Sequence, residues 1–250
     1  MSIYDSRVLT LGVNSNDDDL PHISEFLRYV PEEDLVEFWT ALSGLGLDDE
    51  AAVESWVGVN GSTATQVDAS KKPLFLVDEI APGIPGIKGD GTNDILQTSV
   101  TPPSQGVLLA GFKTPPSLSG VKVLMGSYSG SASSAISIGF NGTEIAAQVG
   151  DQNFTTLKGG LLTPSTIYIA TLSWNATDCF LRLNGEQVAS ASWDGSVGTA
   201  VLGLLGRNAG SPNYNTLASL GAAGIYGAFK SGADMELIEE RLANAIGLSI

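Results

Sequence analysis

Ala135–Val149, AISIGFNGTEIAAQV, consists of two short apolar runs, AISIGF and TEIAAQV, with Asn141-Gly142 between them. Asn-Gly between two such runs predicts a tight type I′ hairpin, because both central residues of that turn need a positive φ. The same arrangement recurs at CFLRLN (179–184), which ends on Asn184-Gly185. Further short apolar segments flank these two: GVLLAGF (106–112), VKVLMGSY (121–128), TIYIATLSW (166–174) and AVLGLLG (200–206), separated by Gly, Pro, Asn, Asp and Ser. Many short strands at a spacing of roughly 8–12 residues predict an antiparallel β-sandwich or jelly roll.

The two ends read differently. Ile23, Phe26, Leu27 and Val30 follow one another at helical spacing. Pro31 then suits a first helical position, with Glu32, Glu33 and Asp34 at the positive end of the helix dipole and Leu35, Phe38, Trp39 and Leu42 as its apolar face. Residues 1–45 are therefore expected to form an acidic helical segment for docking or assembly, and residues 46–250 the sandwich. At the other end, SGADMELIEERLANAIGL predicts an amphipathic helix with Ser231 and Asp234 in a capping-box relation, a Met235, Ile238, Leu242 and Ile246 stripe, and Gly247 as the C-terminal stop.

Composition excludes several classes of function. The 250 residues are 43% hydrophobic and 16% charged, as a globular chain is. A net charge of -15 argues against general nucleic-acid binding, which needs basic clusters to neutralise phosphates. Residues 1–70 hold 14 acids and 2 bases, so most of the excess lies at the front. No apolar run reaches the roughly 18–20 residues that cross a bilayer, so no membrane insertion is expected. MSIYDSRVLTLGV lacks the pattern of a signal peptide. The lone Cys179 is expected in the core, and the lone His22 rules out sites that need two histidines.

A family resemblance is carried by motifs in order along roughly residues 45–250. VESWVGVNGSTATQ, with Trp56, Asn60, Gly61, Ala64 and Gln66, resembles the opening of the laminin-G-like jelly rolls of the concanavalin A-like lectin/glucanase superfamily. KKPLF, with Pro73, and PGIKGDGTNDIL resemble that family's strand, Asp-Gly, Asp and apolar signature. FLRLNGEQVA resembles its Asn-Gly hairpin, and LGLLGRNAG with AAGIYGAFKSGADMELIEERLANAIGL its closing strands and final helix. Such domains with a short helical lead resemble those of tailed-phage virion proteins. The resemblance implies a non-enzymatic virion protein on capsid or tail. It would contact a host-surface glycan, dock other virion proteins through its N-terminal helices, and assemble as a homo-oligomer. A decoration protein without glycan binding is the alternative, and a glycan hydrolase the weaker one. The implied location is the virion, after synthesis in the host cytoplasm.

The chemical candidates are few. Glu32, Asp34 and Glu37 fit a Glu-x-Asp-x-x-Glu spacing used by glucanases of the superfamily, but Pro31 and the helical stripe read them as surface acids at a helix start. Sugar recognition combines an aromatic face with fixed polar groups. Trp193, Asp194, Asn208, Asn213 and Tyr214 are the ligand-binding candidates on that ground. In IPGIKGDGTNDIL (84–96) the reading is a structural corner, with Asp90 and Asp94 as the metal candidates. No cofactor is expected apart from calcium at that corner.

Overall fold

The computed structural model describes residues 33–43, 45–194, 196–208 and 214–248. Two antiparallel sheets make up the sandwich. The first runs β14 (Glu186–Ser192), β13 (Asp178–Leu183), β12 (Ile167–Trp174), β7 (Gly106–Lys113), β16 (Ser219–Tyr226), β5 (Ile84–Lys88) and β4 (Leu74–Ala81), with β1 (Leu35–Thr40) also paired to β16. The second runs β11 (Lys158–Leu161), β10 (Glu144–Val149), β9 (Ile136–Asn141), β8 (Val121–Ser127), β15 (Gly203–Leu204), β6 (Leu96–Gln97), β3 (Thr63–Thr65) and β2 (Ser55–Val57). The expected antiparallel sandwich and C-terminal helix are both present.

The main core lies between the sheets and includes Trp39, Trp56, Phe140 and Trp174, all fully buried. A second core lies on the outer face of the first sheet, where α1 (Gly232–Ala245) covers it. Strand β7 serves both. Leu108, Ala110 and Phe112 enter the main core, while Val107 and Leu109 join Met235, Ile238, Leu242 and Ile246 of the helical stripe. A strand covered on both faces reads as a continuous apolar run, and GVLLAGF is one. Ser231 makes no side-chain capping bond, so the expected capping box is not formed, whereas Leu248 N–H reaches back to the Ala243 carbonyl (2.9 Å) past Gly247.

The two hairpins differ. Asn184 and Gly185 have φ of 48° and 85° between paired Leu183 and Glu186, the geometry expected of a type I′ turn. At the other hairpin Asn141 pairs with Glu144, so the loop is Gly142-Thr143, and only Gly142 (60°) has a positive φ. That is the type II′ pattern, with glycine first, and it places Asn141 one position earlier than expected.

The N-terminal expectation is corrected. Residues 35–40 form β1 rather than a helix, with Leu35 opposite Tyr226 and Thr40 opposite Ala222. Phe38 faces the α1 side and Trp39 the main core, so two adjacent residues are buried on opposite faces. The resulting 35, 38, 39, 42 spacing imitates a helix. Residues 35–40 thus lie within the sandwich, ahead of the expected boundary at 45. The helix over Ile23–Val30, the Asp17–Asp19 turn and His22 fall outside the described residues.

Candidate functional site

Glu37 sits on β1, and its carboxylate is fully buried. Its Oε1 accepts from the Phe38 amide (2.9 Å) and the Asn60 amide (2.7 Å), and its Oε2 from the Ser62 amide (2.6 Å). A carboxylate that ties β1 to the turn between β2 and β3 cannot face a substrate. Glu37 is therefore a clamp, and not the surface acid of a helix start.

The Asp90–Asp94 stretch is a self-contained corner. Asp90 Oδ1 accepts from the amides of Thr92 (2.8 Å), Asn93 (3.0 Å) and Asp94 (3.1 Å). Burial works to raise the Asp90 carboxyl, and these amides outweigh it, so it lies below its ordinary value. Asp94 Oδ2 accepts from the Asp90 amide (2.9 Å). Burial, with the Asp90 charge, pushes Asp94 up to about 6. Asn215 Nδ2 fastens the corner from the other side, donating to the Asp94 carbonyl (2.8 Å). Among the described residues no group of three His, Cys, Asp or Glu side chains stands close enough to hold a metal ion. The residues at the corner serve its backbone first.

Beside this corner opens a cleft of about 560 Å³, lined by Gly91, Thr92, Ser119, Gly120, Val121, Lys122 and Tyr214. Lys122 Nζ donates to the Gly91 carbonyl (3.2 Å), which joins two residues of the lining. Tyr214 is half-buried, and its ring covers the Arg207 guanidinium, whose Cζ lies 4.0 Å from the ring centroid. Tyr128 stacks at 4.6 Å on the same guanidinium. Arg207 Nη1 donates to Gln148 Oε1 (3.0 Å), and the Tyr128 amide donates to Asn208 Oδ1 (2.6 Å). Short β15 positions this group, since Gly203 and Leu204 pair with Gly126 and Met125 of β8, and Arg207 bridges back to Gly126.

Of the sequence candidates, Tyr214 lines the cleft and Asn208 holds the Tyr128 loop behind it. Asn213 lies outside the described residues. Trp193 is not a binding platform. It is 8% exposed, belongs to the main core, and donates from Nε1 to the Asn175 carbonyl (3.0 Å). A Cβ on Gly150 would come within 2.5 Å of the Trp193 ring, so that glycine makes room for it. Exposed Asp194 donates its amide to the Asp151 carboxylate (2.8 Å), accepts from the Asp151 amide at its own carbonyl (3.2 Å), and does not line the cleft. Lys122, Tyr128, Gln148 and Arg207 carry no sequence signal of their own, because only strand pairing brings them together. Cys179 is buried as expected, and burial pushes its thiol up to about 11, which leaves it unreactive.

No protein-family model and no curated protein sequence matches the chain. Solved structures do. The Trypanosoma rangeli sialidase with 2,3-difluorosialic acid has a TM-score of 0.61 at 12% identity, over 86% of this chain and 34% of that one. The same sialidase in complex with sialic acid has a TM-score of 0.60 at 14% identity, over 86% and 34%. The botulinum neurotoxin serotype D binding domain has a TM-score of 0.55 at 11% identity, over 83% and 50%. The likeness is one of fold. This chain spans about a third of the sialidase and half of the toxin domain.

Proposed function

We propose that this chain is a non-catalytic, lectin-type module that binds a saccharide in the cleft beside Tyr214, and that a virion carries it to a host-surface glycan. The observation that carries the reading is the cleft itself, in which an aromatic ring, a lysine and the hydroxyls of Thr92 and Ser119 meet. A pyranose needs such a combination, an apolar surface for its C–H patches and fixed polar groups for its hydroxyls. The likeness in fold to a sialidase solved with sialic acid supports the same direction. The non-catalytic part rests on Glu37, whose carboxylate, one of the three at glucanase-like spacing, is fully buried and bonded to three backbone amides. The virion setting rests on the family resemblance and on the acidic leading segment as the docking piece.

The test is a glycan array with the purified chain, followed by titration of the best ligand. Tyr214→Ala and Lys122→Ala should each weaken it about tenfold or more, the cost of one stacking or charge-assisted contact. A circular dichroism melt should show both variants folded. Binding unaffected by either substitution would place the saccharide elsewhere, and no retained glycan would sink the reading. For docking, removal of residues 1–32 should abolish incorporation into particles while leaving the sandwich intact.

A further inference from the structure

Arg207 is only 7% exposed. Its partners among the described residues are neutral: the Gln148 amide oxygen, the Tyr214 hydroxyl, and the two tyrosine rings. No described carboxylate comes within 4.0 Å of it, while buried Glu239, by contrast, is paired to an arginine. Burial without a counter-ion is unfavourable for a guanidinium, and here it pulls the group down from its ordinary value. The tyrosine rings offset part of that cost, as cation–π contacts do, without neutralising the charge.

A second unsatisfied group stands beside it. Ser137 is fully buried, and its Oγ has no hydrogen-bond partner among the described residues. Ser137 is the register partner of both Gln148 on β10 and Gly126 on β8. Arg207 contacts both of those positions, Gln148 through its side chain and Gly126 through its backbone bridge. A cation and a hydroxyl that both lack a matching partner among the described residues therefore share one small area of the outer face of the second sheet, next to the cleft that Tyr214 lines. Lys122 adds a second positive charge to the lining of that cleft.

We propose that the cleft selects a carboxylate-bearing saccharide, with Arg207 receiving the carboxylate as its missing counter-ion. The proposal rests on the saccharide reading above and adds the ligand's charge class to it. A planar guanidinium matches a carboxylate bidentately, and the flanking rings hold it in one plane. A neutral sugar would leave the charge unpaired.

Two measurements on the full chain test this. In calorimetric titration, a uronic-acid oligosaccharide should bind about tenfold or more tightly than its carboxyl-reduced counterpart, the span of a charge-assisted hydrogen bond over a neutral one. Arg207→Lys keeps the charge but not the fork, and should lose most of that preference. In a thermal melt at matched ionic strength, sodium glucuronate should raise the melting temperature of the native chain above glucose or sodium chloride, and Arg207→Lys should abolish the rise. Equal affinity for the acid and its reduced form overturns the charge assignment and leaves the saccharide reading standing. Stabilisation by sodium acetate equal to that by glucuronate, dependent on Arg207 and with no oligosaccharide bound, keeps the anion site and overturns the saccharide reading. An unchanged preference in Arg207→Lys overturns Arg207 as the receiving group. The comparisons on the native chain decide the matter even if the variant fails to fold.

Discussion

Trp193 and Asp94 show how burial redefines a side chain. A tryptophan in the loop ASWDGS has the composition of a sugar platform, yet its ring is seated in the core and its indole N–H is satisfied by a backbone carbonyl. Trp193→Ala should therefore cost about 3–5 kcal/mol in chemical denaturation, the usual range for losing a large buried ring. Any loss of ligand should follow loss of fold. Asp94 carries a pH signature. Its carboxyl titrates near 6 in the folded protein and near 4 in an unfolded chain, so between those values the native state holds a proton that the unfolded state has released. Stability should fall as pH rises through that window. Asp94→Asn keeps an acceptor for the Asp90 amide and removes the charge. It should be more stable than the native protein at pH 8 by about 1 kcal/mol, and the difference should vanish below pH 4. Melts across pH 3.5–8 read this directly, and a pH-independent difference would refute it.

At the scale of elements, helix α1 is attached by more than its apolar stripe. Glu239 is buried on the helix face that meets the sheet, where Arg182 of β13 binds it bidentately (2.9 Å at each oxygen) and Thr171 of β12 donates to it (2.5 Å). Removing one partner of such a pair leaves a buried charge exposed to no water and no counter-ion. Glu239→Ala should cost about 3–5 kcal/mol, and the Glu239→Met, Arg182→Met double variant should recover much of it. A denaturation double-mutant cycle that gives simple additivity would argue against this staple. Strand β1 shows why an element can be misread. Its LVEFWT segment carries β-favouring Val, Phe, Trp and Thr, but Phe38 and Trp39 are both buried because each face of the sheet is covered. The alternation that marks a one-sided strand is then lost, and the remaining apolar spacing coincides with a helical one. The C-terminal helix was legible because α1 has only one buried face.

Across the whole molecule, β1 belongs to the sandwich, and truncation should respect that. Removal of residues 1–45 takes away Trp39 from the main core and Phe38 from the second, and should leave an unfolded or aggregating product. Removal of residues 1–32 keeps β1 paired to β16 and should preserve a cooperative melt. Size-exclusion chromatography and circular dichroism of the two truncations separate these outcomes. The sandwich architecture, the Asn184-Gly185 hairpin, the helical stripe and the structural character of the Asp90 corner were all readable in the amino acids. Each depends on φ preferences or on periodicity within a few residues, which the local chain sets by itself. The cleft was only partly readable. Tyr214 could be suspected from its loop, but Arg207 and Gln148 stand 59 residues apart and meet only because β15 docks on β8. Local sequence determined the strands, turns and final helix; tertiary structure alone decided which faces are covered twice and where an arginine is buried with no counter-ion among the described residues, because both depend on what distant strands place against a given side chain.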